Sequence, residues 1–259
     1  MKPIHLLLAC AIWATNMYCS CEPRMYTPPA RLWPQETSPK PLDAGTSALA
    51  AAGGMSFGYC GFDFTAGSGS LTYRRGLPHG LETNATVSYL RLSTSGYGAT
   101  TGEDRQSFAP SAVSFHLGAR YGPRALQRFV SGRLGAGMGF SPVANYAGLD
   151  LGTVLGWHNP WVVPFVSPGL YVSFPFNTKR VYVVDLEDRV SGITADEADI
   201  TWGFEAGGGL KVFVLSKERA DPDPWTLGFY VVGKTTSLMS RNRPTDWPTS
   251  VGGGIEIGL

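Results

Sequence analysis

Residues 112–121 read Ala-Val-Ser-Phe-His-Leu-Gly-Ala-Arg-Tyr, and apolar and polar side chains alternate along them. The apolar positions are Val113, Phe115, Leu117, Ala119 and Tyr121. The positions between them are Ser114, His116, Gly118 and Arg120. Because successive side chains of a strand point to opposite faces, this stretch predicts a strand with one apolar and one polar face. The pattern recurs down the chain, which predicts a barrel with lipid outside and water inside.

The composition limits the classes of protein that the chain can belong to. It has 259 residues, of which 33 are glycine and 19 are proline, too many for a helical protein. Charged residues make up 16% of the chain and the net charge is +1, so no basic excess attracts nucleic acid. No later apolar run is long enough for a transmembrane helix. An all-β fold is therefore favoured, without a nucleic-acid partner.

The N-terminus predicts export. Residues 1–21 place Lys2 and His5 before a short apolar core, as signal peptides do. Cys21 follows Ser20 and is the candidate acylation site of a lipoprotein-type signal, with ordinary cleavage as the alternative. The cysteines and histidines lack metal-site spacing, so we predict neither a metal nor a cofactor.

Residues 22–50 are rich in proline and show no periodicity, which indicates a linker or disordered tail. Tethering the barrel and partly filling its lumen are the alternatives. Residues 51–259 form the predicted barrel domain, an antiparallel up-and-down transmembrane barrel of about ten strands, with eight or twelve as alternatives. The ten predicted strands span residues 51–62, 70–75, 82–92, 112–121, 130–140, 148–157, 162–174, 199–214, 225–235 and 251–259. Pro164 and Pro168 predict an irregularity or a bulge in the seventh strand, because proline cannot donate to the ladder.

The connections between these strands differ in length at the two predicted ends. At one end they are short: residues 76–80, 122–127, 158–160 and 216–224. At the other end most are long: residues 93–108, 175–198 and 237–248, with 141–145 as a short exception. Aromatic residues adjoin the short turns, where an interfacial belt is expected: Tyr73, Tyr121, Trp157, Trp161 and Trp225.

Residues 51–259 resemble bacterial outer-membrane β-barrel proteins of the small porin-like, OmpA- or OmpX-like kind. The end of the chain carries the most specific part of the resemblance. Gly254, Ile257 and Leu259 match the spacing of the assembly signal in that family, although Leu259 replaces the usual terminal aromatic residue. The resemblance implies a monomer in the outer membrane of a Gram-negative bacterium, in contact with outer-membrane lipid and delivered by the barrel-assembly machinery.

Nine charged residues lie on the predicted inward face, five basic and four acidic. They are Arg74, Glu82, Arg120, Arg133, Asp150, Glu205, Lys211, Lys234 and Glu256. Side chains nearly fill the interior of a barrel this narrow, and charges buried there need partners. The balance of signs therefore predicts a salt-bridge network in the lumen in preference to a selectivity lining, because a pore usually carries a biased ring of charge.

Three functions fit this pattern. The leading hypothesis is a non-enzymatic outer-membrane barrel with a structural, adhesion-like or narrow-channel role through its long loops. The second is an outer-membrane lipid-modifying hydrolase using Ser114 and His116, for which no nucleophile-elbow motif is present. The third is a soluble or lipid-anchored periplasmic barrel with its apolar faces turned inward around a small hydrophobic ligand. No catalytic residue is predicted.

Overall fold

The fold was analysed in a computed structural model. It describes residues 29, 31–33, 36–57, 64–94, 97–101, 111–141, 144–178, 181–185, 190–194, 199–219, 225–240 and 243–259. Ten long strands form the barrel: β1 (Ser47–Phe57), β2 (Phe64–Leu77), β3 (Leu81–Thr94), β5 (Ser111–Tyr121), β6 (Val130–Phe140), β7 (Asn145–Gly156), β8 (Val162–Phe176), β11 (Thr201–Leu215), β12 (Thr226–Thr236) and β15 (Thr249–Gly258). Five short strands lie in the connections: β4 (Tyr97–Thr101), β9 (Val181–Asp185), β10 (Val190–Thr194), β13 (Leu238–Ser240) and β14 (Arg243–Asp246).

The ten long strands pair antiparallel with their neighbours and close into a barrel. The first and last strands pair from Ala48↔Gly258 to Phe57↔Thr249, and β12 pairs with both β11 and β15. Closure leaves these strands without a free edge, so the wall satisfies its own backbone hydrogen bonds. This confirms the predicted fold class, an antiparallel barrel of ten strands.

The two ends of the barrel carry different connections. The turn end has the short links β2–β3, β5–β6, β7–β8 and β11–β12, and the loop end has the remaining links. The β2–β3 link is a single 3-10 turn, Pro78–Gly80, where Gly80 has a φ of +74° and a Cβ would meet the carbonyl of Gly122. At the loop end, β4 pairs with β9 and β9 with β10, so two long loops share a small three-stranded sheet.

Side chains alternate around the whole wall as the sequence predicts. Apolar residues point outward and stay exposed, whereas glycine, serine, threonine and charged residues point inward. In β5, for example, Phe115 and Leu117 are exposed and Ser114 and His116 are buried. The described residues contain no α-helix, and so none long and apolar enough to cross a membrane.

The structure corrects three sequence-based expectations about the strands. Residues 47–50, assigned to the linker, begin β1, because alanines on both faces hide the alternation there. Glycine and serine hide the first half of β2 in the same way, so that strand is longer than predicted. Of the irregularity or bulge predicted at the prolines, the structure shows an irregularity and no bulge. β8 and β11 keep one register from Thr201↔Ser173 to Val212↔Val162, but the β7–β8 ladder is interrupted at Pro168 and Ser167, between Gly152↔Gly169 and Leu155↔Val166, without a change of register. Both prolines point outward, and Pro164 still accepts a hydrogen bond from the Trp157 N–H through its carbonyl.

Closure can be tested at the seam between the first and last strands. Ala51 lies opposite Ile255, and Cα atoms in such a hydrogen-bonded pair are about 5.5 Å apart, within disulfide range. In a chain whose native cysteines are serine, we expect Ala51→Cys with Ile255→Cys to form an intramolecular disulfide, measured by thiol counting and non-reducing gel mobility. Ala51→Cys with Val251→Cys is the matched control, because Val251 lies about 13 Å further along the strand. Equal cross-linking in both pairs would contradict the register.

Candidate functional site

The barrel lumen is occupied by the chain's own N-terminal segment. We call residues 29–42 the lumen segment; its described residues are 29, 31–33 and 36–42. From β1 the chain turns into the barrel at the turn end, where the Leu42 N–H donates to Glu82 Oε2 at 2.8 Å. It then passes toward the loop half, where Trp33 lies against Gly54 of β1. The segment assigned to a linker or tail therefore packs inside the wall, the lumen-filling alternative of the sequence analysis.

Five charged residues of the wall form a cluster in the turn half of the lumen. Arg74 donates to Glu82 Oε1 at 2.8 Å and to Glu256 Oε2 at 2.7 Å. Arg120 donates to the other Glu82 oxygen at 2.6 Å, and Lys211 donates to Glu256 Oε1 at 2.6 Å. All five side chains are buried. Three cations thus share two carboxylates, so some of their N–H groups remain free to donate to another partner.

The backbone carbonyls of the lumen segment accept hydrogen bonds from these remaining N–H groups. Arg120 donates to the carbonyl of Ser38 and, at 3.0 Å, to that of Lys40. The Thr37 hydroxyl lies 3.5 Å from Glu256 Oε2. Hydrogen bonds of charged groups to buried carbonyls are stronger than neutral ones, so these contacts fix the segment to the wall.

A second charged cluster lies further toward the loop end. Arg133 lies between two carboxylates, 2.6 Å from Asp150 Oδ1 and in contact with Glu205 Oε1. Lys234 Nζ is 2.8 Å from Glu205 Oε2, and His116 Nε2 is 2.6 Å from Asp150 Oδ2. A Cβ at Gly169 or Gly152 would overlap the Arg133 guanidinium, so inward glycines make room for the cluster.

Arg31 and Glu36 of the lumen segment join this second cluster. Their side chains are 2.8 Å apart, and Arg31 Nη1 lies 3.7 Å from Asp150 and 3.8 Å from Glu205. The segment thus adds one cation and one anion to two wall cations and two wall carboxylates, and the signs stay balanced.

The wall also binds the segment beside this cluster. Lys234 Nζ donates to the carbonyls of Arg31 and Leu32 at 3.2 and 3.3 Å. Asn84 Nδ2 donates to Glu36 Oε1 at 3.2 Å. Both the backbone and the side chains of the segment therefore have partners on the wall here.

Trp33 anchors the segment in a slot between the first and last strands. Its ring is 3% exposed and lies over Gly54 and Gly252, where an added Cβ would stand 2.6 and 2.8 Å from the ring. The indole N–H donates to Ser68 Oγ at 2.9 Å. The slot exists because both strands present glycine to the lumen at the same level. Burying the indole and satisfying its N–H make Trp33 a strong packing contact.

At the turn end, four side chains that we call the latch hold the segment in place: Ser38, Lys40, His158 and Glu218. Lys40 Nζ is 2.5 Å from Glu218 Oε1, His158 Nε2 is 3.1 Å from Glu218 Oε2, and His158 Nδ1 is 2.7 Å from the Ser38 hydroxyl. The hydrogen bond with His158, followed by that with Lys40, lowers the pKa of the Glu218 carboxyl to about 2. His158 lies in the short link between β7 and β8 and is nevertheless buried, because the segment covers it.

All nine predicted lumen residues lie inside the barrel and have ionic partners there. They divide between the clusters as Arg74, Glu82, Arg120, Lys211 and Glu256 in the first and Arg133, Asp150, Glu205 and Lys234 in the second. Sequence reasoning missed Arg31, Trp33, Glu36 and Lys40, because a proline-rich stretch shows no periodicity. The one signal available in the sequence was that Arg31, Trp33 and Glu36 lie within six residues of each other, because a disordered spacer requires none of these residue types.

The other predicted residues lie elsewhere. Gly254 faces the lumen beside Tyr230, Ile257 points outward, and the backbone of Leu259 pairs with Ser47. Cys21 lies outside the described residues, so its acylation stays a prediction. The residues proposed for the hydrolase alternative do not form a catalytic pair in this arrangement: Ser114 Oγ and His116 Nδ1 do not hydrogen-bond to each other.

Comparison with known proteins gives no matching family and no matching curated protein. Among the solved structures that resemble the chain are two autotransporter domains. The translocator domain of the autotransporter NalP from Neisseria meningitidis is 11% identical, with a TM-score of 0.46 over 84% of this chain and 89% of that one. The beta domain of the Bordetella autotransporter BrkA is 12% identical, with a TM-score of 0.43 over 83% of this chain and 99% of that one. Both are autotransporter domains by name, so the OmpA- or OmpX-like resemblance stays a prediction.

The lumen network predicts a strong effect of removing one carboxylate. Glu205→Gln leaves Arg133, Lys234 and Arg31 with less negative charge in a buried site, which costs about 3–5 kcal/mol when one partner of a buried pair is lost. We expect a corresponding fall in the free energy of unfolding, measured by urea titration in detergent. Asp43→Asn is the control, because the Asp43 side chain is 69% exposed, and it should change stability by less than about 1 kcal/mol.

The latch predicts a pH dependence. Because the folded pKa of Glu218 lies below its usual 4.5, the latch stabilises the fold above pH 4.5 and loses that contribution as the pH falls toward 2. We expect the difference in unfolding free energy between the wild type and Glu218→Gln to be largest above pH 5 and to vanish near pH 2. A difference that is constant between pH 6 and pH 2 would contradict the assignment.

Proposed function

We propose that this chain is an integral outer-membrane β-barrel protein that its own lumen segment keeps closed, and that it acts without catalysis through its loop end. The observation that carries the proposal is the exterior of the wall. Each of the ten barrel strands presents exposed apolar side chains, a pattern that soluble monomers avoid and that lipid-facing barrel walls require.

The size and continuity of this apolar surface support a lipid environment. In the middle of the wall Leu117 is 68% exposed, Leu134 62% and Leu151 60%. Within the barrel strands, the charged residues on the outward face are Arg75, close to the turn end, and Arg91, close to the loop end. Charges near the edges and none between them match a hydrocarbon layer bounded by two polar interfaces.

Aromatic side chains are exposed near both edges of the wall. Near the turn end they are Tyr73, Tyr121, Phe129, Trp157, Trp161 and Trp225. Near the loop end they are Phe57, Tyr89, Phe140, Phe174, Phe176 and Trp202. Two such girdles around an aliphatic band are typical of transmembrane barrels, because aromatic rings favour the lipid–water interface.

The interior argues against the two other uses of a barrel. A barrel that binds a hydrophobic ligand needs an apolar cavity, but here the charged clusters and the lumen segment fill the interior. An open channel needs a continuous water path through the lumen, and here the lumen segment occupies the space that such a path would need. We therefore infer a structural or partner-binding role, with the small sheet of β4, β9 and β10 as part of the surface that meets a partner.

The location can be tested by fractionating an expressing Gram-negative host. We expect the protein to stay with outer-membrane fragments after an alkaline wash and to change gel mobility on boiling, as closed barrels do. Purified protein in planar bilayers should show no steady conductance. Release by alkali without a mobility shift would overturn the membrane proposal, and a steady open pore would overturn closure alone.

A substitution on the outward face separates a lipid-facing wall from a water-facing one. Leu151→Arg places a charge at the middle of β7, which costs about 2–4 kcal/mol in a bilayer. Leu126→Arg is the matched control, because Leu126 is similarly exposed but lies in the turn between β5 and β6, where the cost is about 0–1 kcal/mol. We expect Leu151→Arg to lower folding yield in lipid vesicles well below that of Leu126→Arg. Equal yields would contradict a lipid-facing wall.

A further inference from the structure

We propose that the lumen is a binding site for a polypeptide segment bearing an Arg-x-Trp pair, and that residues 29–42 are an exchangeable occupant of this site. This inference concerns the lumen and does not depend on where the barrel resides. Three observations support it: how the wall contacts the segment, which side chains set the segment's position, and how the wall closes.

The wall contacts the backbone of the segment at both ends. Arg120 binds the carbonyls of Ser38 and Lys40, and Lys234 binds those of Arg31 and Leu32. Glu82 accepts the backbone N–H of Leu42. Every polypeptide offers these carbonyl and N–H groups, whatever its side chains. The wall therefore contributes affinity that does not depend on the ligand's sequence, because main-chain groups supply these hydrogen bonds.

Two side chains of the segment then supply selectivity. Trp33 fills the slot over Gly54 and Gly252, and its N–H reaches Ser68. Arg31, two residues away, lies near the carboxylates of Asp150 and Glu205. A buried aromatic ring and a buried guanidinium are the residue types that dominate binding energy at interfaces. Their spacing defines the ligand as a peptide with arginine two positions before tryptophan.

The wall closes independently of the segment. β1 pairs with β15 over ten residue pairs, and β12 pairs with both its neighbours, so no strand of the barrel uses the segment as a partner. The wall carboxylates and cations of each cluster also pair with one another. Removing the segment therefore exposes paired charges to water and breaks no strand pairing. These are the properties of a preformed site with a ligand in it.

The experiment cuts the full chain after it has folded. Asp43, Ala44 and Gly45 are exposed and precede β1, so a protease recognition sequence inserted between Ala44 and Gly45 lies outside the barrel strands. After cleavage of the folded protein in detergent, a fluorescent peptide with the sequence of residues 29–43 is added. Anisotropy reports its binding, and the mobility shift on boiling reports whether the barrel remains folded.

We expect saturable binding that the unlabelled peptide competes away. The Trp33→Ala peptide should bind about a hundredfold more weakly, because a buried indole is lost. A peptide that keeps Arg31, Trp33 and Glu36 in place but shuffles the other side chains should bind within about tenfold of the native peptide, because the backbone contacts and the buried Arg31–Glu36 pair remain. The matched control shuffles these three residues as well and should not compete.

Three results would overturn the proposal. If the cut barrel keeps its heat shift but takes up no peptide, the segment is a permanent part of the fold and not a ligand. If cutting abolishes the heat shift, the segment is required for the wall. If the fully shuffled peptide binds as well as the native one, the lumen does not recognise the Arg-x-Trp pair. The fractionation test of the membrane location is unaffected by any of these outcomes.

Discussion

The pairing of buried charge inside a narrow barrel is the constraint on which the rest of this structure depends. Side chains and one chain segment occupy the lumen of this ten-stranded wall, and unpaired charges there would be costly. The chain meets this constraint with two clusters, one around Glu82 and Glu256 and one around Asp150 and Glu205. The first has more cations than carboxylates, and the backbone carbonyls of the lumen segment accept the remaining donors.

Small inward residues make this arrangement sterically possible. Gly54 and Gly252 leave the volume that Trp33 fills, and Gly152 and Gly169 leave the volume that Arg133 fills. Glycine weakens an isolated strand, but in a closed barrel the ladder on both sides holds each strand in place. At these four positions glycine therefore serves the packing of the lumen, because each missing side chain on the wall is matched by a large side chain that crosses the interior.

The apolar exterior and the charged interior together reverse the usual distribution of a soluble protein. Side chains such as Leu134 and Leu151 stand exposed, while Arg74, Arg120 and Lys211 are among the most buried residues. The outer and inner surfaces of the barrel therefore have separate roles. The outer surface determines the medium in which the barrel is stable, and the inner surface determines what occupies the lumen. The loop end, where β4, β9 and β10 form their own sheet, is the part of the fold that we propose for contact with a partner.

The sequence by itself determined the wall. Alternation with a period of two, as in residues 112–121, depends only on neighbouring positions, so it predicted the strands, their inward charges and the unequal ends. It did not predict that β1 begins at Ser47, because Ala48 and Ala50 resemble their outward neighbours. It also did not predict the course of residues 29–42, because a segment without periodicity carries no local sign of its partners. Only the tertiary structure decided that Arg31, Trp33 and Glu36 lie in the lumen. Apart from the contacts of Arg31 with Trp33 and Glu36, their partners are more than thirty residues away in sequence, and such contacts exist only once the barrel has closed around them.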